Sequence, residues 1–233
     1  MTMLTNEDSQ NAFKEYLADA QRRYRHDMEF PDEPKQVRPG EDIQIHDNRV
    51  QVSGQAAVMA INEKLVQTWM RNNPDRSFAL QESFSLPGTY GEAAPLGPIM
   101  ELGASDAAGA YTPERMAQSV DYWRTTARGL LTDPEALGSS EALESFSKLA
   151  TAQANLFSNR RFSAEAEQTY RIAAEIWPGN VEAVSGLTAL LIDGGREDEA
   201  RQRMEAFGRE YPDKRSELER KQALWRFNAA RSN

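Results

Sequence analysis

The residues of this chain that could do chemistry are few. It has no cysteine and two histidines, His26 and His46, and neither histidine has a second metal-binding side chain at ligand spacing. The chain also lacks the Gly-x-Ser-x-Gly turn of serine hydrolases and the Gly-Lys-Ser/Thr loop that cradles phosphates. The sequence therefore predicts no metal, no nucleotide and no other cofactor.

Carboxylates form the largest remaining pool of reactive groups. Glu82 is the most suggestive of them, because it follows a predicted strand over 77–80, and strand ends present polar groups in α/β units. A single acid at a strand end is more often a cap or a surface charge than a catalytic group. We therefore predict no catalytic residue in this chain.

The net negative charge of the chain disfavours some classes of binding partner. The chain has 27 Lys and Arg against 36 Asp and Glu, a formal net charge of -9, which repels nucleic-acid phosphates and anionic membranes. No apolar run is long enough to span a bilayer, and the N-terminus lacks the basic and then apolar pattern of a signal peptide. We expect a chain that is soluble as given and binds no nucleic acid. The missing cysteines leave the compartment open, since periplasmic proteins often lack them too.

Four segments are predicted. An N-terminal helix over 1–27 begins at Thr5, and its apolar stripe is Phe13, Leu17, Ala20 and Tyr24. A linker over 28–42 is rich in proline and charge, a small α/β unit covers 43–103, and a helical repeat domain covers 112–233.

The α/β unit is predicted from short patterns. Alternating apolar residues at 43–45 and 50–52 flank an Asp-Asn turn and indicate a β-hairpin. A helix over 55–72 follows, and strands at 77–80 and 99–102 are separated by a loop over 86–98. The apolar face of that helix is formed by Val58, Ile61, Leu65 and Trp69.

The helical domain opens at Pro113, and its first buried stripe is Met116, Val120, Trp123 and Ala127. A 34-residue repeat follows. Its first copy has Ala166, Tyr170, Ala173 and Pro178, and its second copy has Ala200, Met204, Phe207 and Pro212. Each copy reads as a helix pair that must stack on a neighbour to bury its apolar face.

This pattern resembles the tetratricopeptide repeat over roughly residues 145 to 230. The second copy departs from it at Met204 and Phe207, and two ordinary helical hairpins are the alternative. The predicted fold is mostly α, with a C-terminal tetratricopeptide-like helical array preceded by a small mixed α/β unit.

A wider resemblance covers nearly the whole chain. The segments 52–62, 73–78, 81–84, 121–123 and 145–149 are similar to the soluble C-terminal region of bacterial multi-pass membrane proteins of unassigned function. Those proteins have membrane halves that resemble C-type glycosyltransferases, and their tails end in tetratricopeptide repeats. The chain departs from them at 87–90 and 96–98. The resemblance implies an accessory region tethered to a membrane half and lying in the periplasm or elsewhere outside the cytoplasm; without it, a cytoplasmic location is expected.

Two functions follow from these patterns. The first is a protein-interaction scaffold, in which the inward positions of the first helices bind a protein or peptide; the second is binding of a carbohydrate or lipid-linked sugar by the α/β unit, as an accessory to a transferase. The predicted partner-binding residues are Lys148, Thr151, Asn155 and Asn159 in the first pair, and Ser185 and Ala189, between the acids Glu182 and Asp193, in the second. Lys148 and Asn155 together could hold a carboxylate or a backbone carbonyl. The alternatives are a solvated helix face, or a groove closed by Trp225 and Phe227 in a protein that self-associates.

Overall fold

The chain forms a mostly helical protein with short antiparallel strands, as the sequence predicts. The structure is a computed structural model that describes residues 2–47, 49–80, 93–103 and 111–232. It divides into two compact units. The first contains Met1–Phe78 and Phe84–Glu92, and the second contains Ala79–Ser83 and Ala93–Asn233. Within the described ranges, no helix is both long and apolar enough to cross a membrane.

The first unit consists of two helices and a β-hairpin. In chain order these elements are α1 (Asn6–Glu29), β1 (Asp42–His46), β2 (Arg49–Ser53) and α2 (Gln55–Asn72). Helix α1 begins where it was predicted, because Thr5 and Asp8 form a capping box: the Asp8 amide donates to the Thr5 hydroxyl, and the Thr5 amide donates to the Asp8 carboxylate. The predicted hairpin is confirmed, with Ile43 paired to Val52, while Asn48 of its turn lies outside the described residues.

The buried stripe of α1 differs from the predicted one. It consists of Ala12, Tyr16, Ala20 and Arg23: Ala20 is buried as predicted, but the other three residues each lie one position earlier than predicted, and Phe13 is 47% exposed. The reason is polar: the Tyr16 hydroxyl and the Arg23 guanidinium both donate to the carboxylate of Glu41. These bonds turn the Tyr16 face of the helix inward.

The predicted linker is held against α1 by side chains. The Asp27 carboxylate accepts hydrogen bonds from the amides of Gln36, at 2.7 Å, and Val37, at 3.0 Å. The side chain of Glu41 is fully buried, and Arg23 Nη2 donates to its Oε1 at 2.7 Å. Burial opposes ionisation of Glu41, but hydrogen bonds from Arg23 and Tyr16 outweigh it and lower its pKa to about 2.

Helix α2 is less buried than its pattern predicts. Ala57 is its one buried residue, and Val58 is 55% exposed. The cluster of Tyr16, Ala20, Ile43 and Ala57 is small, so it covers only part of an 18-residue helix.

The second unit contains the remaining elements, except for Phe78 at the start of β3. They are β3 (Phe78–Leu80), β4 (Ala94–Leu96), β5 (Ile99–Leu102), α3 (Pro113–Thr132), α4 (Pro134–Leu137), α5 (Ser140–Asn159), α6 (Ser163–Ile176), α7 (Val181–Asp193), α8 (Glu197–Glu210) and α9 (Arg215–Ser232). The sheet has the order β3-β5-β4, and the division between the units falls within β3. Strand β4 corrects the predicted loop over 86–98: Ala94 to Leu96 pair antiparallel with β5, and residues 86–92 lie outside the described ranges.

Helices α5 to α8 form two consecutive helix pairs. Helix α8 starts and ends 34 residues after α6, at Glu197 and Glu210 against Ser163 and Ile176. The alanines that open the two copies of the repeat, Ala166 and Ala200, are 0% and 1% exposed. The stripe predicted for α3 is also buried, from Met116 to Ala127. The period is therefore present in the helix boundaries, while the tetratricopeptide assignment stays a prediction.

One glycine marks the contact between the two pairs. A Cβ atom on Gly186 of α7 would lie 2.4 Å from the ring of Tyr170 on α6, so only glycine fits there without a shift. Tyr170 is 3% exposed, and its hydroxyl donates to the side-chain oxygen of Asn155 on α5. The ring of Tyr170 therefore joins three consecutive helices.

Candidate partner-binding surface

A buried polar network joins the first helices of the two pairs. Asn180 caps α7, since its Oδ1 accepts from the amides of Glu182 and Ala183 at 3.0 and 3.1 Å. Its Nδ2 donates to Ser147 at 2.8 Å and to Thr151 at 3.0 Å, both on α5. One side chain thus fixes the start of α7 against the middle of α5.

Helix α9 continues this row of first helices. It starts at Arg215, 34 residues after the Val181 that starts α7. Gln222 of α9 is buried, and its Nε2 donates to the Ser185 carbonyl oxygen at 3.0 Å and to the Thr188 hydroxyl. Leu218 is 2% exposed and packs into a cluster with Val184 of α7.

A cleft of about 190 Å³ lies at the N-terminal ends of these three helices; we call it the A-side cleft. Three lysines and three glutamates give it balanced charge, and the indole of Trp177 contributes an aromatic surface. Its lining residues are Glu144, Lys148, Trp177, Gly179, Asn180, Val181, Glu182, Lys214, Glu217 and Lys221.

Two lysines of the A-side cleft are held in place. Lys148 Nζ lies 2.8 Å from Glu144 Oε1, one helical turn away on α5. The hydrogen bond from Lys148, and then its charge, lower the pKa of the Glu144 carboxyl. Lys214 Nζ donates to the Gly179 carbonyl oxygen at 2.9 Å and lies 5.9 Å from the centre of the Trp177 ring. The cleft therefore presents ordered charges of both signs.

The predicted partner-binding residues of α5 do not share one surface. Lys148 lines the A-side cleft. Thr151 is 1% exposed, and its hydroxyl donates to the Ser147 carbonyl oxygen while it accepts from Asn180. It therefore faces the contact between helices rather than a partner. Asn155 is half-buried and accepts from Tyr170, and Asn159 is exposed at the C-terminal end of the helix.

The predicted partner-binding residues of α7 also lie on different surfaces. Glu182 lines the A-side cleft together with Lys148. Ser185 accepts from Gln222 through both its hydroxyl and its carbonyl oxygen, and Ala189 is half-buried. Asp193 is exposed at the end of the helix. Because α9 packs on α7, the middle of the predicted groove is occupied by α9.

Sequence reasoning missed the contribution of α9 to this surface. Lys214, Glu217 and Lys221 line the A-side cleft. The sequence instead suggested that Trp225 and Phe227 close the groove. Trp225 is half-buried, and the Phe227 side chain lies outside what the structure describes. The repeat period could have located these charged residues, because it predicts that another first helix begins 34 residues after the start of α7.

The other reactive candidates lie away from this cleft. His26 is half-buried, with Nδ1 3.4 Å from Asp27 and Nε2 3.2 Å from Glu33. His46 ends β1. Among the residues that the structure describes, no three His, Cys, Asp or Glu side chains are grouped as a metal site. Glu82 lies outside the described ranges.

Comparison with known proteins identifies no relative of this chain. No family model, no curated protein and no solved structure matches the chain. The two family resemblances therefore stay predictions drawn from the residues.

Proposed function

We propose that this chain is a non-catalytic protein-interaction scaffold, built on tetratricopeptide-like helix pairs, and that a peptide segment of a partner binds in the A-side cleft. The observation that carries this proposal is the convergence of α5, α7 and α9 on one cleft lined by three lysines, three glutamates and Trp177. Side chains from three separate helices meet there. A surface of this kind suits a partner that offers charges of both signs and an aromatic or apolar residue.

The chemistry of the cleft favours an extended peptide over a small metabolite. Glu182 and Glu217 offer acceptors to amides and cations of a peptide, while Lys221 offers a donor to a carbonyl or carboxylate. The volume of about 190 Å³ is below the 300–1,000 Å³ typical of small-molecule pockets. One or two side chains of a longer segment fit such a cleft, and the rest of the segment contacts the rim.

The resemblance to membrane-protein tails supports a setting for this activity. In this proposal the chain is an extramembrane accessory region, periplasmic or otherwise extracytoplasmic, and its partner is a neighbouring part of the same assembly or another protein of that compartment.

Charge reversal on the wall formed by α9 tests the proposal. We expect Lys221→Glu to weaken capture of peptides on a random peptide array by about tenfold, since one charge-assisted contact is worth about 1.5–3 kcal/mol. Lys148→Glu, on the wall formed by α5, gives the same loss. The matched control is Arg220→Glu, which reverses an exposed charge on α9 outside the cleft lining. Equal capture by the parent, both cleft variants and the control, at unchanged melting temperature, would exclude the cleft as the binding site.

The alternative function is carbohydrate binding by the first unit, and one observation favours it. Phe13 is 47% exposed and lines a cleft of about 360 Å³ with the polar side chains of Asp42, Gln44, Gln51 and Ser53. An aromatic face beside amides and a carboxylate is suited to a sugar ring. A glycan array probed with the parent and with Phe13→Ala distinguishes the two functions, because the A-side cleft is unchanged in that variant.

A further inference from the structure

A second cleft of the helical unit is separate from the A-side cleft and shares none of its lining residues. It has a volume of about 380 Å³ and is lined by residues of α6, α7 and α8; we call it the B-side cleft. Its apolar wall contains Ala174, Val184 and Phe207, and its polar side chains include Glu199, Arg203 and Glu210.

Charges beside this cleft form a closed network. Arg171 pairs with both Glu167 and Glu199. Arg196 pairs with the same two acids, with Nη1 2.8 Å from Glu167 Oε2 and Nη2 2.6 Å from Glu199 Oε2. Two cations therefore neutralise two anions, and both carboxylates are fully engaged.

Arg203 is the cation left outside this network. Its side chain is half-buried and makes no hydrogen bond or ion pair with any residue in the described part of the chain. The remaining acid of the cleft, Glu210, accepts a hydrogen bond from the Tyr211 hydroxyl at 3.1 Å. Burial, and then the nearby charge of Arg171, lower the pKa of Arg203, while Glu199 and Glu167 oppose that change. A guanidinium has five donors, so a half-buried one without an acceptor is a site that an added carboxylate would stabilise.

The wall beside Arg203 is apolar. Val184 is 3% exposed and Phe207 5% exposed, and the rings of Phe207 and Tyr211 are 5.1 Å apart. An occupant gains free energy there by burying an apolar side chain next to its charged group.

The length of the cleft distinguishes a continuous segment from a chain end. Its lining on α8 extends from Glu199 to Glu210, which at 1.5 Å per residue is about 16 Å. An extended peptide of about five residues spans that distance. Arg203 lies inside this span rather than at either end, so the carboxylate that meets it belongs to a residue in the middle of the bound segment.

We propose that the B-side cleft binds an extended segment of a protein partner in which an internal Asp or Glu pairs with Arg203 and a neighbouring apolar side chain packs against Val184 and Phe207. This surface does not depend on the A-side cleft and gives the scaffold a second place for a partner. Recognition depends on one charged contact and one apolar contact, so the partner segment has an acidic residue next to an apolar one.

Capped pentapeptides test this proposal on the full chain. The first probe is Ala-Leu-Glu-Leu-Ala, acetylated and amidated, and the second has Gln in place of Glu. We expect the Glu peptide to bind about tenfold more tightly, because its contact with Arg203 is charge-assisted. In Arg203→Gln this preference disappears, and in Arg203→Lys part of it returns. The preference also falls as salt is raised, since the contact is partly exposed.

The matched control is Arg201→Gln, which removes an exposed arginine from the same helix that pairs only with Asp198 in the described structure. It keeps the preference, as does Lys148→Glu in the A-side cleft, so failure of this proposal is distinguishable from failure of the proposed function. An equal preference in Arg203→Gln, or no binding of the Glu peptide, would overturn the inference. A third probe, the Gln peptide with a free C-terminus, decides the source: binding as tight as the Glu peptide would show that the site takes a terminal carboxylate instead.

Discussion

The two units of this protein stabilise themselves in different ways. The first has a small buried cluster around Tyr16 and Ile43, and its most buried charges, Arg23 and Glu41, pair directly. The second has a continuous apolar cluster that extends from Met116 on α3 to Ala200 on α8. A small unit buries a smaller fraction of its surface, so directional contacts between a few polar groups carry more of its stability. We therefore expect the first unit to respond most to lost charges and the second to changes in side-chain volume.

The largest expected effect is that of Glu41→Gln in the first unit. The change removes the buried carboxylate that pairs with Arg23, whose side chain is 7% exposed and whose remaining ion pair is with the partly exposed Asp19. Loss of one partner from a buried ion pair costs about 3–5 kcal/mol. Hydrogen exchange in urea is the measurement: amides of α1, β1 and β2 lose protection, whereas those of α5 to α8 keep it.

Glu15→Gln is the control for that change. It removes an ion pair between α1 and Lys64 of α2, but both side chains are exposed, at 61% and 40%. An exposed pair contributes at most about 1 kcal/mol. A Glu41→Gln variant that is no less stable than Glu15→Gln would show that the first unit does not depend on its buried pair.

An intermediate effect on stability is expected when one methyl group is added in the second unit. Gly186→Ala places a Cβ atom against the Tyr170 ring and should destabilise that unit by about 1–3 kcal/mol, the usual cost of overpacking. Gly129→Ala on α3 is the matched change, because its Cβ meets nothing within 4 Å. Alanine is favoured over glycine within a helix, so that variant should gain up to about 1 kcal/mol. Thermal melts of the two variants that shift in the same direction would contradict the packing described for Gly186.

The smallest effect is expected on mild acidification. The pKa of Glu41 is about 2 in the folded unit and near 4.5 without its partners, so its contribution is complete above pH 4.5 and decreases as pH falls toward 2. At pH 4 the first unit should lose a little of its protection from hydrogen exchange, and Glu41→Gln should reduce that pH dependence, because Asp19 and Asp27, whose pKa values are also lowered, keep part of it. The pKa of Tyr16 is raised to about 12, by burial first and then by Glu41, so its contribution is lost as pH rises from 10 toward 12. Unchanged protection between pH 7 and pH 3 would contradict the assignment of Glu41.

Local patterns were enough to predict most elements. The caps at Thr5 and Thr112 and the stripe that includes Trp123 give the helices their starts and faces. The face of α1 was predicted wrongly because Arg23 is buried by a carboxylate 18 residues away. Apolar periodicity contains no information about such a pair, and proline and charge in the segment 28–42 indicated only an irregular chain.

The candidate site was predictable only in part for a related reason. Helical periodicity identified Lys148 and Glu182, and both line the A-side cleft. It could not show that the Asn180 side-chain amide would bind Thr151 of the preceding pair, nor that Gln222 would contact Ser185. These are contacts between repeats, and their donors are ordinary polar residues with no pattern of their own.

The polar contacts between successive first helices have a consequence for how this chain can change in length. Ser147 meets Asn180 after 33 residues, Thr188 meets Gln222 after 34, and Gly179 meets Lys214 after 35. Deletion of one residue within one of these helices rotates the later positions of that helix by roughly 100° about its axis and separates donors from their acceptors. Duplication of a complete 34-residue unit preserves all three contacts. The helical region can therefore be lengthened by whole repeat units, whereas the loss of one residue from α5, α7 or α9 breaks the contacts between these helices.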